Sequence, residues 1–324
     1  MPHYLVTGCA GFIGSHVCEH LLANGHQVTG IDNFSRFYAR NIKERNMSGF
    51  FNHSRFAFHE VDIRNKEALF EALPNAFDGV IHLAAKAGVR PSISDPSAYI
   101  DVNIHGTHHL LQLMEERGMK KMFFASSSSV YGNQKQMPFN EATIEDKPIS
   151  PYAFTKRAAE LMNYTYHHLK GFDIICARFF TVYGPRQRPD LAIHKFVKLV
   201  HNGEAIPMFG DGETARDYTF IDDTVKGILG GVNYLQNNDG VYEIINLGNK
   251  TPVKLHTLIT TIGRSLGKEP EVTRLPMQEG DVDITWADIS KAQKLIGYAP
   301  EIDIETGIQR FTDWYAQTMA DLKL

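Results

Sequence analysis

The sequence predicts an α/β protein: a Rossmann-type doubly wound parallel sheet with a smaller α/β substrate-binding lobe. Three observations carry that expectation. Short apolar runs alternate with amphipathic helical stretches from His3 to about Arg178, the pattern of successive βαβ units. The first run ends in a glycine-rich turn that opens a helix. After Phe180 the alternation gives way to a Pro/Gly/Arg segment and a mixed remainder. At 324 residues and 43% hydrophobic content, the chain has material for one large core or two unequal ones.

Tyr4-Leu5-Val6 reads as the first strand, and Val17, Leu21 and Leu22 continue beyond the turn at helical spacing. Between them Gly8, Gly11 and Gly14 form G-x-x-G-x-x-G, one residue away from the commonest dinucleotide fingerprint. The glycines keep the same tasks: a tight turn, approach of a pyrophosphate to the backbone, and close helix-on-strand packing. A second strand, 28–31, ends in Asp32, eighteen residues past Gly14. A carboxylate there binds the adenosine ribose hydroxyls and repels a 2′-phosphate. NAD is the expected cofactor, with Arg36 and Arg40 keeping NADP as the lesser alternative.

Residues 33–55 form a long excursion with some helix, and 56–61 alternate as a third strand ending in Asp62, an expected adenine contact. Residues 80–83 read as a buried strand, followed by Ala84-Ala85-Lys86-Ala87-Gly88, small enough for a cofactor to lie against the backbone. Asp95-Pro96 caps a long helix to about Arg117. A fifth strand, 122–125, delivers Ser126, Ser127, Ser128 and Ser129 to the carboxyl end of the sheet, where ligands bind in α/β folds. A helix from Pro151 to about Lys170 and a sixth strand, 174–178, follow.

Beyond Phe180 the expected order is a loop over 183–189, a helix over 191–202 and strands at 206–209 and 218–221. A helix from Asp222 leads to a strand, 242–247, that rejoins the sheet. Helices near 255–266, 289–295 and 305–320 complete the chain. The expected division is 1–181 plus about 219–247 for the NAD-binding Rossmann domain, and about 182–218 plus 248–324 for the second lobe.

Composition removes several classes. A formal charge of −4 argues against a nucleic-acid footprint or a polybasic membrane patch. No apolar run reaches the roughly 18 residues of a membrane span, and no leader precedes the first strand, so a cytoplasmic location is expected. The three cysteines, Cys9, Cys18 and Cys176, form no metal spacing and no disulfide framework. His105, His108 and His109 lack an acidic third ligand and read as helix-surface residues, so no metal is expected. There is no G-x-S-x-G elbow and no P-loop lysine.

The chemistry gathers at Ser150-Pro151-Tyr152-Ala153-Phe154-Thr155-Lys156. Ser150 reads as an N-cap and Pro151 as the first helical residue, which sets Tyr152 and Lys156 on one face of the first turns. An unperturbed phenol titrates near 10, so a base working near neutrality needs a downward shift worth about 3–4 kcal/mol. One cation about 5 Å away at an effective dielectric of ~20 supplies about 3 kcal/mol. The expectation is that the helix N-terminus, Lys156 and a second positive charge bias Tyr152 toward its anion.

Thr7 to Gly14, Asp32, Ser126 to Gly132 and the Tyr152/Lys156 pair together resemble the extended short-chain dehydrogenase/reductase family over essentially the whole chain. Within it the chain resembles the nucleotide-sugar 4-epimerases. Ala87-Gly88-Val89-Arg90, Arg178-Phe179-Phe180-Thr181-Val182-Tyr183-Gly184-Pro185 with Arg188-Pro189-Asp190, and Gly280-Asp281-Val282 with Ala287-Asp288-Ile289-Ser290 look like UDP-glucuronate 4-epimerases.

The resemblance implies 4-epimerisation of UDP-glucuronate to UDP-galacturonate through a transient 4-keto sugar, with tightly bound NAD regenerated each turnover. It implies Tyr152, Lys156 and Ser127 as catalytic residues. Gly8, Gly11, Phe12, Ile13, Gly14, Asp32, Asp62, Ile63, Leu83, Ala84, Ala85 and Lys86 would line the cofactor. Arg90, Ser127, Ser128, Thr181, Arg188, Arg216 and Asp281 would meet the substrate, Thr181 and Arg188 at its carboxylate. Ser128 and Ser129 stand where dehydratases and decarboxylases carry acids, and Gln278 stands near a phosphate-binding Arg of many relatives. The helices before Arg117 and after Pro151 resemble a four-helix dimer interface, so a homodimer is implied. The rival readings are a 4-epimerase of neutral or N-acetylated UDP-hexoses and a non-catalytic NAD-binding protein.

Overall fold

The computed structural model describes residues 1–143, 146–276 and 283–322, with side chains described through residue 319. In chain order the elements are β1 (His3–Thr7), α1 (Phe12–Ala23), β2 (Gln27–Asp32), α2 (Arg40–Met47), β3 (Phe56–Glu60), α3 (Lys66–Ala72), β4 (Gly79–His82), α4 (Val89–Ser94), α5 (Pro96–Ile100), α6 (Gly106–Glu116), β5 (Lys121–Ser127), α7 (Pro151–Lys170) and β6 (Asp173–Phe179). There follow β7 (Thr181–Tyr183), α8 (Ala192–Asn202), β8 (Ile206–Phe209), β9 (Ala215–Phe220), α9 (Ile221–Asn237), β10 (Tyr242–Leu247), β11 (Pro252–Lys254), α10 (Leu255–Leu266), β12 (Val272–Leu275), α11 (Ser290–Ile296) and α12 (Ile304–Leu322).

The main sheet has seven strands in the order β10-β6-β5-β4-β1-β2-β3, and every pairing in it is parallel. Order reverses beside β1, so the carboxyl ends of β1 and β4 flank the switch point where a doubly wound sheet opens to ligand. The inner strands are buried on both faces because their side chains alternate between two cores, while β3 at the edge is partly exposed. Tyr4, Val6, Phe123, Ala125, Ile175 and Ala177 face one, shared with Val17 and Leu21 of α1 and Val225 and Ile228 of α9. Leu5, Val80, Met122, Phe124, Ile174 and Cys176 face the other, with Leu69 of α3, Leu110 and Met114 of α6 and Ala159 of α7.

β10 does rejoin this sheet, pairing Tyr242 with Ile174 through Leu247 with Phe179. Two small sheets lie outside it, β11-β9-β7 and β12-β8. The sequence reading held no strand for β7, β11 or β12. Each has only three or four residues, too few for a period-2 pattern to emerge.

The expected single helix from Asp95 to Arg117 is instead three consecutive segments. Asp95 accepts from Ala98 N at 3.3 Å and caps α5. A π-helical turn over Asp101–His105 then separates α5 from α6. That turn brings Asn103, which is buried, to the backbone of Lys86.

Candidate active site

Gly8 sits at φ +72, and a Cβ there would stand 2.9 Å from Ala84 N. A Cβ on Gly14 would lie 2.1 Å from Gly8 O, so these two positions admit only glycine. Gly11 is the N-cap of α1, with no side-chain cap and no acid in the first turn. The opening N–H groups of Phe12 and Ile13 therefore meet the requirements of an anion such as a pyrophosphate.

Asp32 closes β2 and is buried. Its Oδ1 accepts from Phe34 N at 2.8 Å and faces Lys43 Nζ at 3.5 Å. Oδ2 bonds none of the described residues. Arg40, the reserve for a 2′-phosphate, is committed elsewhere: both terminal nitrogens bond Glu60 at 2.8 and 2.7 Å, and Nε bonds Glu44 at 2.7 Å. Asp62 follows β3 and is half-buried. Its oxygens hold Arg64 and Asn33, bonds that keep the carboxyl below its usual range against burial, which pushes the other way. Ile63 is buried under Gly106. Leu83, Ala84, Ala85 and Lys86 remain half-exposed at the carboxyl end of β4.

Ser150 caps α7 by accepting from Ala153 N at 3.1 Å, and Ser92 Oγ takes Tyr152 N at 3.1 Å. Tyr152 then faces the end of β5, where its phenol shares a hydrogen bond with Ser127. Tyr99 packs edge-on to the Tyr152 ring at 6.1 Å. The protein's own groups do not produce the anionic bias expected of this tyrosine. Burial raises its pKa, and the Ser127 bond and the Arg188 charge offset only part of the rise.

Lys156 is engaged elsewhere. Its Nζ donates to Ala125 O at 2.7 Å, and burial pulls its pKa down to about 8, with Glu160 acting to raise it. Here the lysine is a buried donor anchored to β5.

The remaining residues divide. Ser126 donates to Glu160 at 2.6 Å and is structural. Ser127 and Ser129 bond each other at 3.1 Å, and Ser128 is half-exposed beside them. Thr181 opens β7 and is half-buried. Arg188 reaches the Tyr152 phenol electrostatically but is paired on two nitrogens with Asp190, Nε at 3.0 Å and Nη2 at 2.7 Å. Arg90 lies over the Phe209 ring at 5.6 Å. Arg216 is turned onto two carbonyls, Ala215 O and Asp283 O. Asp281 and Gln278 lie outside the described residues.

Two buried arrangements escaped the sequence reading. Glu160 and Arg178 form an ion pair with both side chains at 0% exposure. Glu160 falls four residues after Lys156, a helical spacing that pointed to it. The second is a relay through His82. Thr7 Oγ1 accepts from Leu83 N and Ala84 N and meets His82 Nδ1 at 2.7 Å. With both lone pairs taken, the threonine donates its proton to the ring. His82 Nε2 then donates to Thr107 Oγ1 at 3.0 Å, and Thr107 to Asn103 O at 2.7 Å. Asn103 reaches Thr155 Oγ1 at 3.0 Å, and Thr155 bonds Tyr152 O. Burial holds His82 neutral, with its pKa near 3. The glycine-rich turn and α7 are thus tied by one chain of hydrogen bonds.

This strand order, the uncapped helix after a glycine-rich turn, and a Tyr-Lys helix facing a serine-bearing strand end define a Rossmann-fold nucleotide-dependent class of protein. A family model described as GDP-mannose 4,6 dehydratase matches residues 5–311. A UDP-glucuronate 4-epimerase of Thermodesulfobacterium geofontis is 45% identical, covering 100% of this chain and 99% of the relative. The crystal structure of a UDP-glucuronic acid 4-epimerase from Bacillus cereus, in complex with UDP-glucuronic acid and NAD, superposes with a TM-score of 0.90 at 36% identity, over 98% of this chain and 99% of that one. A UDP-glucose 4-epimerase from Thermotoga maritima, solved with UDP-glucose, gives 0.88 at 31%, over 98% and 99%. The chain belongs to the extended short-chain dehydrogenase/reductase family, in the branch that this family model describes.

Proposed function

We propose that the protein is an NAD-dependent UDP-glucuronate 4-epimerase that forms UDP-galacturonate, with Tyr152 as the acid/base. The observation that carries the reading is the meeting of three groups at the carboxyl end of the sheet: the Tyr152 phenol, its Ser127 hydrogen bond and the Arg188 charge. A hydroxyl, a proton acceptor and a carboxylate-binding cation are what a uronate 4-carbinol requires.

NAD, when bound, would supply the acceptor and donor for the C4 hydride and, in its oxidised form, a positive charge to the site. The Gly8–Gly14 turn and the α1 N-terminus would hold its pyrophosphate, and Asp32 Oδ2 its ribose hydroxyls. Tyr152 takes the proton of the sugar 4-hydroxyl and returns it to the 4-oxygen, after the 4-keto sugar has turned so that C4 regains its hydrogen on the opposite face. Ser127 hydrogen-bonds the same oxygen and lowers the pKa of the phenol. Lys156, fixed by Ala125 O, would hold the nicotinamide ribose with its other protons.

Thr181 and Arg188 bind the C5 carboxylate and hold it out of alignment with the carbonyl, which suppresses loss of CO2. Ser128 and Ser129 offer no acid for chemistry beyond C4. The lobe built from about 182–218 and 248–324 takes the UDP, with Arg216 and Arg90 near the diphosphate and Asp281 at the uridine ribose. We further infer a cytoplasmic homodimer. Phe154, Leu161 and Leu169 expose 46, 53 and 67% of their surface on α7, an apolar stripe consistent with helix-on-helix pairing.

The test is incubation with UDP-glucuronate without added NAD. UDP-galacturonate as the main product supports the reading. No conversion, or conversion only of UDP-glucose or UDP-N-acetylglucosamine, overturns it. Full activity in Tyr152→Phe overturns the assignment of the base.

A further inference from the structure

Arg188 lies on the connection between β7 and α8, yet its backbone is tightly held. His16 of α1 bonds Pro185 O at 2.9 Å, and Arg186 pairs with Glu19 at 2.9 Å. Gln187 donates to Val182 O at 3.1 Å and accepts from His194 N at 3.2 Å. The side chain is fixed in turn. A guanidinium offers two edges for bidentate bonding, one of Nε with a terminal nitrogen and one of the two terminal nitrogens. Asp190 takes the first, through Nε at 3.0 Å and Nη2 at 2.7 Å.

Phe37 lies against the flat face, with its ring centroid 4.8 Å from the guanidinium carbon. It comes from the connection between β2 and α2. That connection is tied at its start by the Asp32–Phe34 and Asn33–Ser35 bonds, and Ser35 Oγ accepts from Phe37 N. On the second edge, Nη2 is shared with Asp190 and Nη1 bonds none of the described residues.

We propose that Asp190 and Phe37 are positioning residues for the fate of the sugar carboxylate: they lock Arg188 in edge and in plane, so that a uronate meets a rigid partner. The inference rests on the UDP-glucuronate reading. In a 4-keto-glucuronate the bond from C5 to the carboxylate breaks when it lies parallel to the carbonyl π system. CO2 then leaves, the bonding pair enters the C4–C5 enolate, and a proton from solvent later returns to C5, giving a 4-keto pentose. A guanidinium fixed on one edge and one face cannot follow the carboxylate into that alignment. One free to turn can.

The test compares Asp190→Asn, Asp190→Glu and Phe37→Leu with the wild type, all as full-length enzymes carrying their NAD. UDP-glucuronate is the substrate, and the pentose nucleotides, reduced or 4-keto, are scored as a fraction of product. Asp190→Asn is expected to raise that fraction about tenfold, the scale of one lost charge-assisted contact. Asp190→Glu should restore part of the difference, and Phe37→Leu should move it in the same direction by less. UDP-glucose affinity, titrated in the Tyr152→Phe background, should be unchanged, because that sugar has no carboxylate. An unchanged pentose fraction in Asp190→Asn overturns the proposal, as does a matching loss of UDP-glucose affinity, which would mark Asp190 as purely structural. A wild type that leaves UDP-glucuronate untouched overturns the functional reading itself, before any variant is compared.

Discussion

Glu160→Gln separates two roles of one carboxylate. Glu160 accepts from Ser126 Oγ at 2.6 Å, from Arg178 Nε and Nη2 at 2.9 Å each, and from Arg157 Nη1 at 3.0 Å. Arg178 has no exposed surface, so neutralising Glu160 leaves a cation buried without its counter-charge, at a cost of about 3–5 kcal/mol. At ~2.1 cal/mol/K per residue the chain's unfolding entropy is about 0.7 kcal/mol/K, so the Tm should fall by about 4–7 °C. The same change reaches Lys156. Burial sets its pKa near 8 and Glu160 acts to raise it, so without Glu160 the ammonium is lost at lower pH. Across one helical turn, about 6 Å at an effective dielectric of ~20, the interaction is worth about 1–2 pH units.

Lys156 is protonated below its pKa, so activity in the wild type should fall as pH rises through about 8. In Glu160→Gln that descending limb should move to lower pH. Thermal unfolding followed by circular dichroism reads the first effect, and a kcat–pH profile the second. Replacing Glu160 and Arg178 together by Met removes both charges, and should recover most of the stability while leaving the limb displaced. A descending limb at the same pH in wild type and Glu160→Gln would refute the link between Glu160 and Lys156.

Ser127→Ala removes the hydrogen bond that lowers the Tyr152 pKa, and should cut kcat by about 10- to 100-fold, at the low end of acid/base effects, with the ascending limb moved to higher pH. Gly14→Ala places a Cβ 2.1 Å from Gly8 O, whereas Gly11→Ala meets the same oxygen at 3.1 Å. The first should purify without NAD and the second should retain part of it, as read from released nucleotide. On the proposed homodimer reading, Leu161→Asp introduces a charge into the apolar stripe of α7 and should leave a monomer in analytical ultracentrifugation; an unchanged oligomeric state in the variant would place the pairing elsewhere.

The main sheet was legible because each buried strand is an apolar run bounded by turn residues, and each crossover helix repeats at 3.6 residues. The cofactor turn was legible because a tight turn against a neighbouring strand needs glycine, and only glycine leaves that mark. Side-chain direction was not. The Tyr152/Lys156 spacing gave the shared helix face but not the bond from Lys156 to Ala125 O, which depends on how β5 passes beneath α7. Asp62 carries the expected residue type at the expected strand end, but its pairing with Arg64, two residues on, was not legible. Arg188 and Asp190 flank Pro189 in an irregular loop, a spacing with no fixed geometry, so their pairing emerged only with the fold. The His82 relay joins residues from position 7 to 155, and no local pattern encodes it.

Arg188 carries two duties that oppose each other. Its charge lowers the pKa of Tyr152, and on the proposed reading the same charge binds the uronate carboxylate. A carboxylate seated on Arg188 cancels much of that field, so the phenol becomes a weaker acid when the uronate is bound than when a neutral sugar is bound. The kcat–pH profile reports groups in the enzyme–substrate complex. Its ascending limb should therefore lie at higher pH for UDP-glucuronate than for UDP-glucose turned over slowly by the same enzyme, by up to about one unit for a single screened charge. Asp190→Asn strips a second anion from Arg188 and should move both limbs to lower pH. Coincident limbs for the two sugars would mean that Arg188 does not act on the base, and that carboxylate binding and proton transfer are independent in this site.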